Sequence, residues 1–198
     1  MGNPLRTAFT QQPGPAERFA GRSGPLRLLV VGGSLGARAL NEIVPQAIAL
    51  MPANQRPTVV HQSGAAQIDA LRANYAAAGV EAELTPFIDD TASAFAAADI
   101  IVCRAGASTV TEIAAVGAAS IFVPFPSAVD DHQTTNAQFL VNAGGGWLVQ
   151  QRDLTPQGLS EMLLKLERPT LVDVALKAKN MQKINATREV VTACEELA

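Results

Sequence analysis

Two histidines, two cysteines, one tryptophan and one tyrosine leave this 198-residue chain few side chains for metal or disulfide chemistry. Cys103 and Cys194 lie far apart and match no metal spacing, and His61 and His132 form no pair at ligand spacing. No bound metal, no cofactor and no disulfide are therefore expected. Cys103 sits inside an apolar run and reads as a small core residue of a reducing, cytosolic compartment. No apolar run reaches the roughly 20 residues that a membrane span needs. The start, MGNPLRTAFTQQPGPAERFAGRSGP, is polar and rich in Pro and Gly, and no signal peptide is read in it. A net charge of −3 argues against a nucleic-acid binder.

Two nucleotide signatures are missing as well. A Walker loop needs Gly-Lys-Ser/Thr, and none occurs. The dinucleotide fingerprint needs glycines at positions 1, 3 and 6 and an acid on the next strand. Here the glycines are Gly32, Gly33 and Gly36, and the next strand ends in His61-Gln62. Readings as an NAD enzyme or an ATPase fall on those grounds.

What is present is regular. Apolar, strand-like runs occur at 26–31, 58–62, 81–87, 99–103, 120–125 and 146–150. Helical patterns fill the gaps at 37–51, 65–79, 90–98, 111–117 and 131–144, with a kink or break expected at Pro45. Residues 155–197 read as helices broken near Pro169. Strands alternating with helices imply βαβ units and a parallel sheet covered on both faces. The expected fold is thus α/β, a doubly wound parallel sheet of Rossmann-like type. Its expected divisions are a linker over 1–25, the sheet domain over 26–166 and terminal helices over 167–198. Residues 1–56 carry six arginines against Glu17 and Glu42. Such a stretch reads as a solvated linker or as a surface for phosphates or a membrane.

In such sheets ligands bind beyond the carboxyl ends of the strands. Five segments there are rich in small, polar or capping residues: 32–38, 61–65, 86–90, 104–112 and 124–136. VVGGSLGAR presents a Gly-rich turn whose N–H groups, with the helix N-terminus that follows, suit a phosphate, or a turn where glycine merely avoids a clash. TVTE (109–112) fits a capping box, with Thr109 and Glu112 satisfying a helix start. It also fits a cleared pocket in which Glu112 accepts hydrogen bonds from a sugar diol. Asp130 or Asp131 reads as the cap of the helix that follows. His61 reads as an acid/base group or as a hydrogen-bonded structural residue.

Taken together, GNPLR, VVGGSLGARALNE, HQSG, PFIDD, ADIIVCRAGASTVTEIAAVG and VPFPSAVDDHQTTNAQFL resemble, in order and spacing, the C-terminal half of the MurG family. These bacterial glycosyltransferases add N-acetylglucosamine (GlcNAc) to lipid-linked muramyl-pentapeptide in peptidoglycan synthesis. The resemblance implies the C-terminal domain of a GT-B fold and a site for UDP-GlcNAc. Arg6 would lie near the nucleotide and Ser34 on a phosphate oxygen. Ile88 would present its backbone to the uracil. Ala107, Ser108 and Thr109 would face the diphosphate, Glu112 the ribose and Gln133 the GlcNAc hydroxyls, with His132 and Asn136 nearby. No metal and no cofactor are implied. The family's acceptor site and probable base belong to an N-terminal half that is absent here, so no catalytic residue is expected in this chain. That half is its natural interface, and the complete enzyme is expected at the inner face of the plasma membrane. A binding subunit that needs a partner chain and a sugar-nucleotide epimerase on the same fold remain as rival readings.

Overall fold

The computed structural model describes residues 2–33, 36–126 and 131–196. Six strands form one parallel sheet: β1 Arg27–Val31, β2 Thr58–Gln62, β3 Glu83–Thr85, β4 Ile100–Cys103, β5 Ser120–Phe122 and β6 Trp147–Leu148. Their order is β3-β2-β1-β4-β5-β6, the doubly wound order, which reverses between β1 and β4. Helices fill the connections, as expected: α3 Arg38–Leu50, α4 Ile68–Ala78, α5 Thr91–Ala97, α6 Ala107–Val116 and α7 His132–Val141. Three more close the chain: α8 Pro156–Leu164, α9 Arg168–Asn180 and α10 Ala186–Glu196. The break between the last long helices precedes Pro169, which sits in the first turn of α9.

Alternation along the strands builds two cores. Leu28, Val30, Ile100 and Val102 point to one face with Leu40, Val44 and Leu71. Leu29, Ile101 and Cys103 point to the other with Phe95, Ile113 and Leu140. Both faces are covered, which explains why the strands read as unbroken apolar runs. Cys103 is fully buried, as its run predicted.

Pro45 does not break α3, which runs through it from Arg38 to Leu50. A proline gives no N–H to the carbonyl four residues earlier. That carbonyl belongs to Asn41, and the Asn74 side chain of α4 donates to it at 2.9 Å. The loss is made good from the neighbouring helix.

Residues 7–22 are not a solvated linker. They form two short helices, α1 Thr7–Thr10 and α2 Pro15–Phe19, with Phe9 and Phe19 buried. The arginines here have internal partners. Arg18 donates to the carbonyls of Ala96, Val116 and Gly117, and Arg22 to those of Ala96 and Ala98. These carbonyls end α5 and α6, where a cation both satisfies orphan acceptors and complements the helix dipole.

Behind them lies Asp99, fully buried just before β4. Its carboxylate accepts from Arg22 at 2.7 Å, Arg168 at 3.0 Å and the Arg27 backbone N–H at 3.0 Å. One acid thus joins the N-terminal segment, the start of β1 and the start of α9. Truncating it strands two guanidinium groups in a poorly hydrated site. Asp99→Ala is expected to lower unfolding free energy by about 3 kcal/mol, read from urea denaturation. A change under about 1 kcal/mol contradicts this role.

Candidate functional site

Every strand ends on one row. Thr85 pairs with Gln62, Gln62 with Val31, Val31 with Cys103, Cys103 with Phe122 and Phe122 with Leu148. These are the last residues of β3, β2, β1, β4, β5 and β6. The segments that follow them therefore leave the sheet at one level, with a crevice where the order reverses beside β1 and β4.

After β1 comes the Gly-rich turn. Its described glycine N–H groups are used within the protein, whereas the start of α3 that follows has no side-chain cap. Gly32 donates to the Gln62 carbonyl at 3.3 Å, Gly33 to Gln62 Oε1 at 3.2 Å and Gly36 to the Gly33 carbonyl at 3.0 Å. Gly36 has φ +75°, and a Cβ there would stand 2.1 Å from the Ser63 carbonyl, so glycine is required. The expectation that these glycines offer N–H groups to a phosphate does not hold for Gly32, Gly33 and Gly36. Ser34 lies outside the described residues.

After β4 the chain does offer them. α6 begins at Ala107 with Gly106 as its N-cap, in extended backbone and without a side-chain cap. The N–H groups of Ala107, Ser108 and Thr109 therefore lack intrahelical partners and meet the rim. Ala107 and Ser108 are exposed, and Thr109 is half-buried. This corrects the capping-box reading of 109–112. Thr109 lies in the first turn and Glu112 in the second, so neither serves the helix start.

Glu112 instead projects from the side of α6, half-buried, with Oε1 3.6 Å from Nη2 of Arg6. Burial raises its pKa above the usual carboxylate range, and Arg6 acts against that. The Arg6 guanidinium also lies 4.9 Å above the Phe9 ring. The order of the N-terminal segment thus brings Arg6 to Glu112 across more than 100 positions of sequence.

On α7, Gln133 and Asn136 share a face at i, i+3. Gln133 Oε1 accepts from the backbone N–H groups of Ala105 at 3.2 Å and Phe125 at 3.0 Å. Asn136 Nδ2 donates to the Ala105 carbonyl at 3.1 Å. Gln133 is thereby oriented, with Nε2 left as the donor it can offer a ligand. Asn136 is a brace. His132 opens α7 on the exposed side. Asp131 precedes it with φ +50° and no side-chain bond to the helix backbone, so it does not cap as expected. Asp130 lies outside the described residues.

Ile88 lies in the loop after β3, half-buried in a cleft of about 120 Å³ lined also by Val31, Gly33, Gln62, Phe87 and Thr91. Thr91 Oγ1 donates to the Ile88 carbonyl at 3.3 Å. The crevice therefore brings Arg6, Glu112, Ile88, the α6 start and Gln133 to one side of the molecule.

Two rim residues escaped the sequence reading. Arg104 donates to the carbonyls of Val123 and Pro124, each at 3.1 Å, and to Gln151 Oε1 at 2.6 Å. Burial lowers its pKa. Gln62 is buried at the end of β2. The available signal was a long polar residue closing an apolar strand.

His61 has the structural role. Its ring lies between the Tyr75 hydroxyl and Asn41 Oδ1, each at 3.0 Å. Burial pushes its pKa down to about 3. It is no acid/base group near neutral pH.

Residues 27–194 match the Glycosyltransferase family 28 C-terminal domain, and the chain belongs to this family. It is similar to the MurG enzymes over their C-terminal half. One such relative is the UDP-N-acetylglucosamine--N-acetylmuramyl-(pentapeptide) pyrophosphoryl-undecaprenol N-acetylglucosamine transferase of Paracidovorax citrulli. It is 77% identical over 197 residues, covering 100% of this chain and 56% of that protein. The enzyme of the same name from Verminephrobacter eiseniae is 75% identical over 198 residues, 55% of its length. The crystal structure of Acinetobacter baumannii MurG superposes with a TM-score of 0.87 at 41% identity, covering 95% of this chain and 55% of that one. The lipopolysaccharide glycosyltransferase WaaG, at 19% identity and a TM-score of 0.66, shares the fold. The chain spans about half the length of the curated relatives it matches. No helix among the described residues is long and apolar enough to cross a membrane.

The buried histidine sets a pH dependence. Its pKa in the folded chain, about 3, lies below the 6.5 of a free histidine. As pH falls through 6.5, the unfolded chain takes up the proton first. This contribution is full above pH 6.5 and declines towards pH 3 by up to about 1.4 kcal/mol per unit. Urea midpoints between pH 7 and 5 should therefore fall more steeply for the parent than for His61→Gln. Parallel slopes would refute the assignment.

Proposed function

We propose that the crevice binds UDP-GlcNAc, and that the chain is the donor half of an inverting transferase. That transferase passes GlcNAc to lipid-linked MurNAc-pentapeptide in peptidoglycan synthesis. The observation that carries this is the uncapped start of α6 one helical turn from half-buried Glu112. A nucleoside diphosphate needs both features side by side. Free N–H groups and the positive end of a helix suit the phosphates. A carboxylate, which only accepts hydrogen bonds, suits the two ribose hydroxyls.

The other roles follow from position. Ile88 offers its backbone N–H to the uracil, while its carbonyl is held by Thr91. Gln133 turns Nε2 towards the GlcNAc hydroxyls, its oxygen being engaged. Arg6 stands beside the nucleotide and opposes the upward pull of burial on the Glu112 carboxyl. In the reaction, the acceptor 4-hydroxyl attacks C1 of GlcNAc, the C1–O bond to phosphate breaks and UDP leaves. Charge grows on the diphosphate, where preorganised N–H groups stabilise it at little reorganisation cost. The acceptor site and the base that takes the hydroxyl proton belong to the part of the relatives that this chain does not span. The whole enzyme then works as a peripheral protein on the cytoplasmic face of the plasma membrane. This chain alone is expected to bind donor with negligible turnover.

Calorimetry tests the reading. The folded chain should bind UDP and UDP-GlcNAc, and no heat with either sinks it. Glu112→Ala should weaken UDP about tenfold or more, since it removes charge-assisted hydrogen bonds of about 1.5–3 kcal/mol. Gln133→Ala should weaken UDP-GlcNAc more than UDP. Equal losses on both ligands would remove Gln133 from the sugar subsite.

A further inference from the structure

Where the strand ladder stops, one buried side chain continues the connection between β1 and β3. Gln62 closes β2 and is 3% exposed. Its Oε1 accepts from the Gly33 N–H at 3.2 Å. Its Nε2 donates to the Gly33 carbonyl at 3.0 Å and to the Pro86 carbonyl at 3.1 Å. The amide thereby completes a pair of bonds with one turn and uses its second N–H on the opposite loop. Among the described residues, no other hydrogen bond joins the turn after β1 to the loop after β3.

The other bonds on each side of this bridge are short-range or lie along the sheet ladder. Gly33 has φ +83° and no atoms near its would-be Cβ, so side-chain packing does not hold it. Pro86 brings no N–H, and the loop beyond it is shaped by local bonds such as Thr85 Oγ1 to the Phe87 carbonyl at 2.6 Å. Phe87 itself is largely exposed. Gln62 also forms the wall of the cleft that contains Ile88.

We propose that Gln62 is a positioning residue for nucleotide recognition. Its amide locks the turn after β1 to the loop that carries Ile88, so that the base meets a preformed surface. The inference rests on the donor-site reading above, with the base at Ile88. A preformed surface spares the ligand the ordering of the two loops beside the base. Base selectivity follows, because a loop held at one height offers its backbone groups in one pattern.

Gln62→Glu keeps the shape but faces the carbonyls of Gly33 and Pro86 with a carboxylate that has no N–H. Gln62→Met removes the polar atoms and introduces no charge, and serves if the first variant does not fold. Backbone hydrogen exchange of the ligand-free chain and calorimetry with UDP and CDP are measured on parent and variants. In either variant, exchange should accelerate around Gly33 and over 87–90, with α9 unchanged. UDP affinity should fall about tenfold or more, and the preference for UDP over CDP should narrow. Unaltered exchange in the two loops overturns the brace. Faster exchange with an unchanged UDP-to-CDP ratio reduces Gln62 to general support and overturns the recognition role. If the parent binds neither nucleotide, the donor-site reading and the recognition role fall together, while the exchange data still decide the brace.

Discussion

The flush register of the sheet is the constraint from which the rest of the molecule follows. Thr85, Gln62, Val31, Cys103, Phe122 and Leu148 form one row, and each is the last residue of its strand. A slip of one residue in β2 would turn His61 to the face that now holds Gln62, and the reverse. Gln62 would lose Gly33 and Pro86, and His61 would lose Tyr75 and Asn41. Register is protected because each slipped strand would also misplace its apolar residues between two covered faces. The packing that stabilises the sheet therefore also fixes the height of every rim segment.

The opposite rim secures the helices whose starts face the crevice. α5 and α6 end beneath the sheet, where Arg18 and Arg22 accept the burden of their unsatisfied carbonyls. Asp99 then balances Arg22 and Arg168. Six arginines near the N-terminus looked like a solvated or phosphate-seeking stretch, yet two of them anchor this segment to the domain. The anchorage has a consequence at the other end: with α1 and α2 docked, Arg6 is delivered to Glu112. A charge pattern read along the chain cannot separate a cation that meets solvent from one that meets a helix end, because the helix end is distant in sequence.

The sheet was legible because its signal is local. Apolar runs, and at 81–87 an alternating pattern, with helices between them mark the strands, and β2 spans the residues its pattern predicted. Strands β3, β5 and β6 are shorter than their runs, and only β3 and β6 lie at the edges of the sheet. The start of α6 was misread for a local reason too. Thr109 and Glu112 have capping-box spacing, but the cap is Gly106, a residue with no side chain to announce it. Residues of the candidate site were legible mainly through resemblance. Nothing in the pattern alone separates Gln133, which holds two backbone N–H groups, from any other glutamine on a helix. Gln62 and Arg104 were passed over because their partners are main-chain atoms of other segments, which sequence spacing does not display.

The rim is built chiefly by amides that grip backbone. Gln62 holds Gly33 and Pro86, Gln133 holds Ala105 and Phe125, and Asn136 holds Ala105 from its other side. Neutral amides suit this work. Each offers a donor and an acceptor, so it can join two loops without burying a charge or leaving one unpaired. The electrostatic elements are then kept for the crevice itself: the open start of α6, positive in character, and the carboxylate of Glu112 with Arg6 beside it. These differ in sign and are held on one helix, about a turn apart. A ligand that places an anion at the first and hydroxyls at the second satisfies both, whereas one that places an anion at Glu112 meets repulsion. Discrimination of that kind depends on distance, and distance here depends on how rigidly the amides hold the loops around α6.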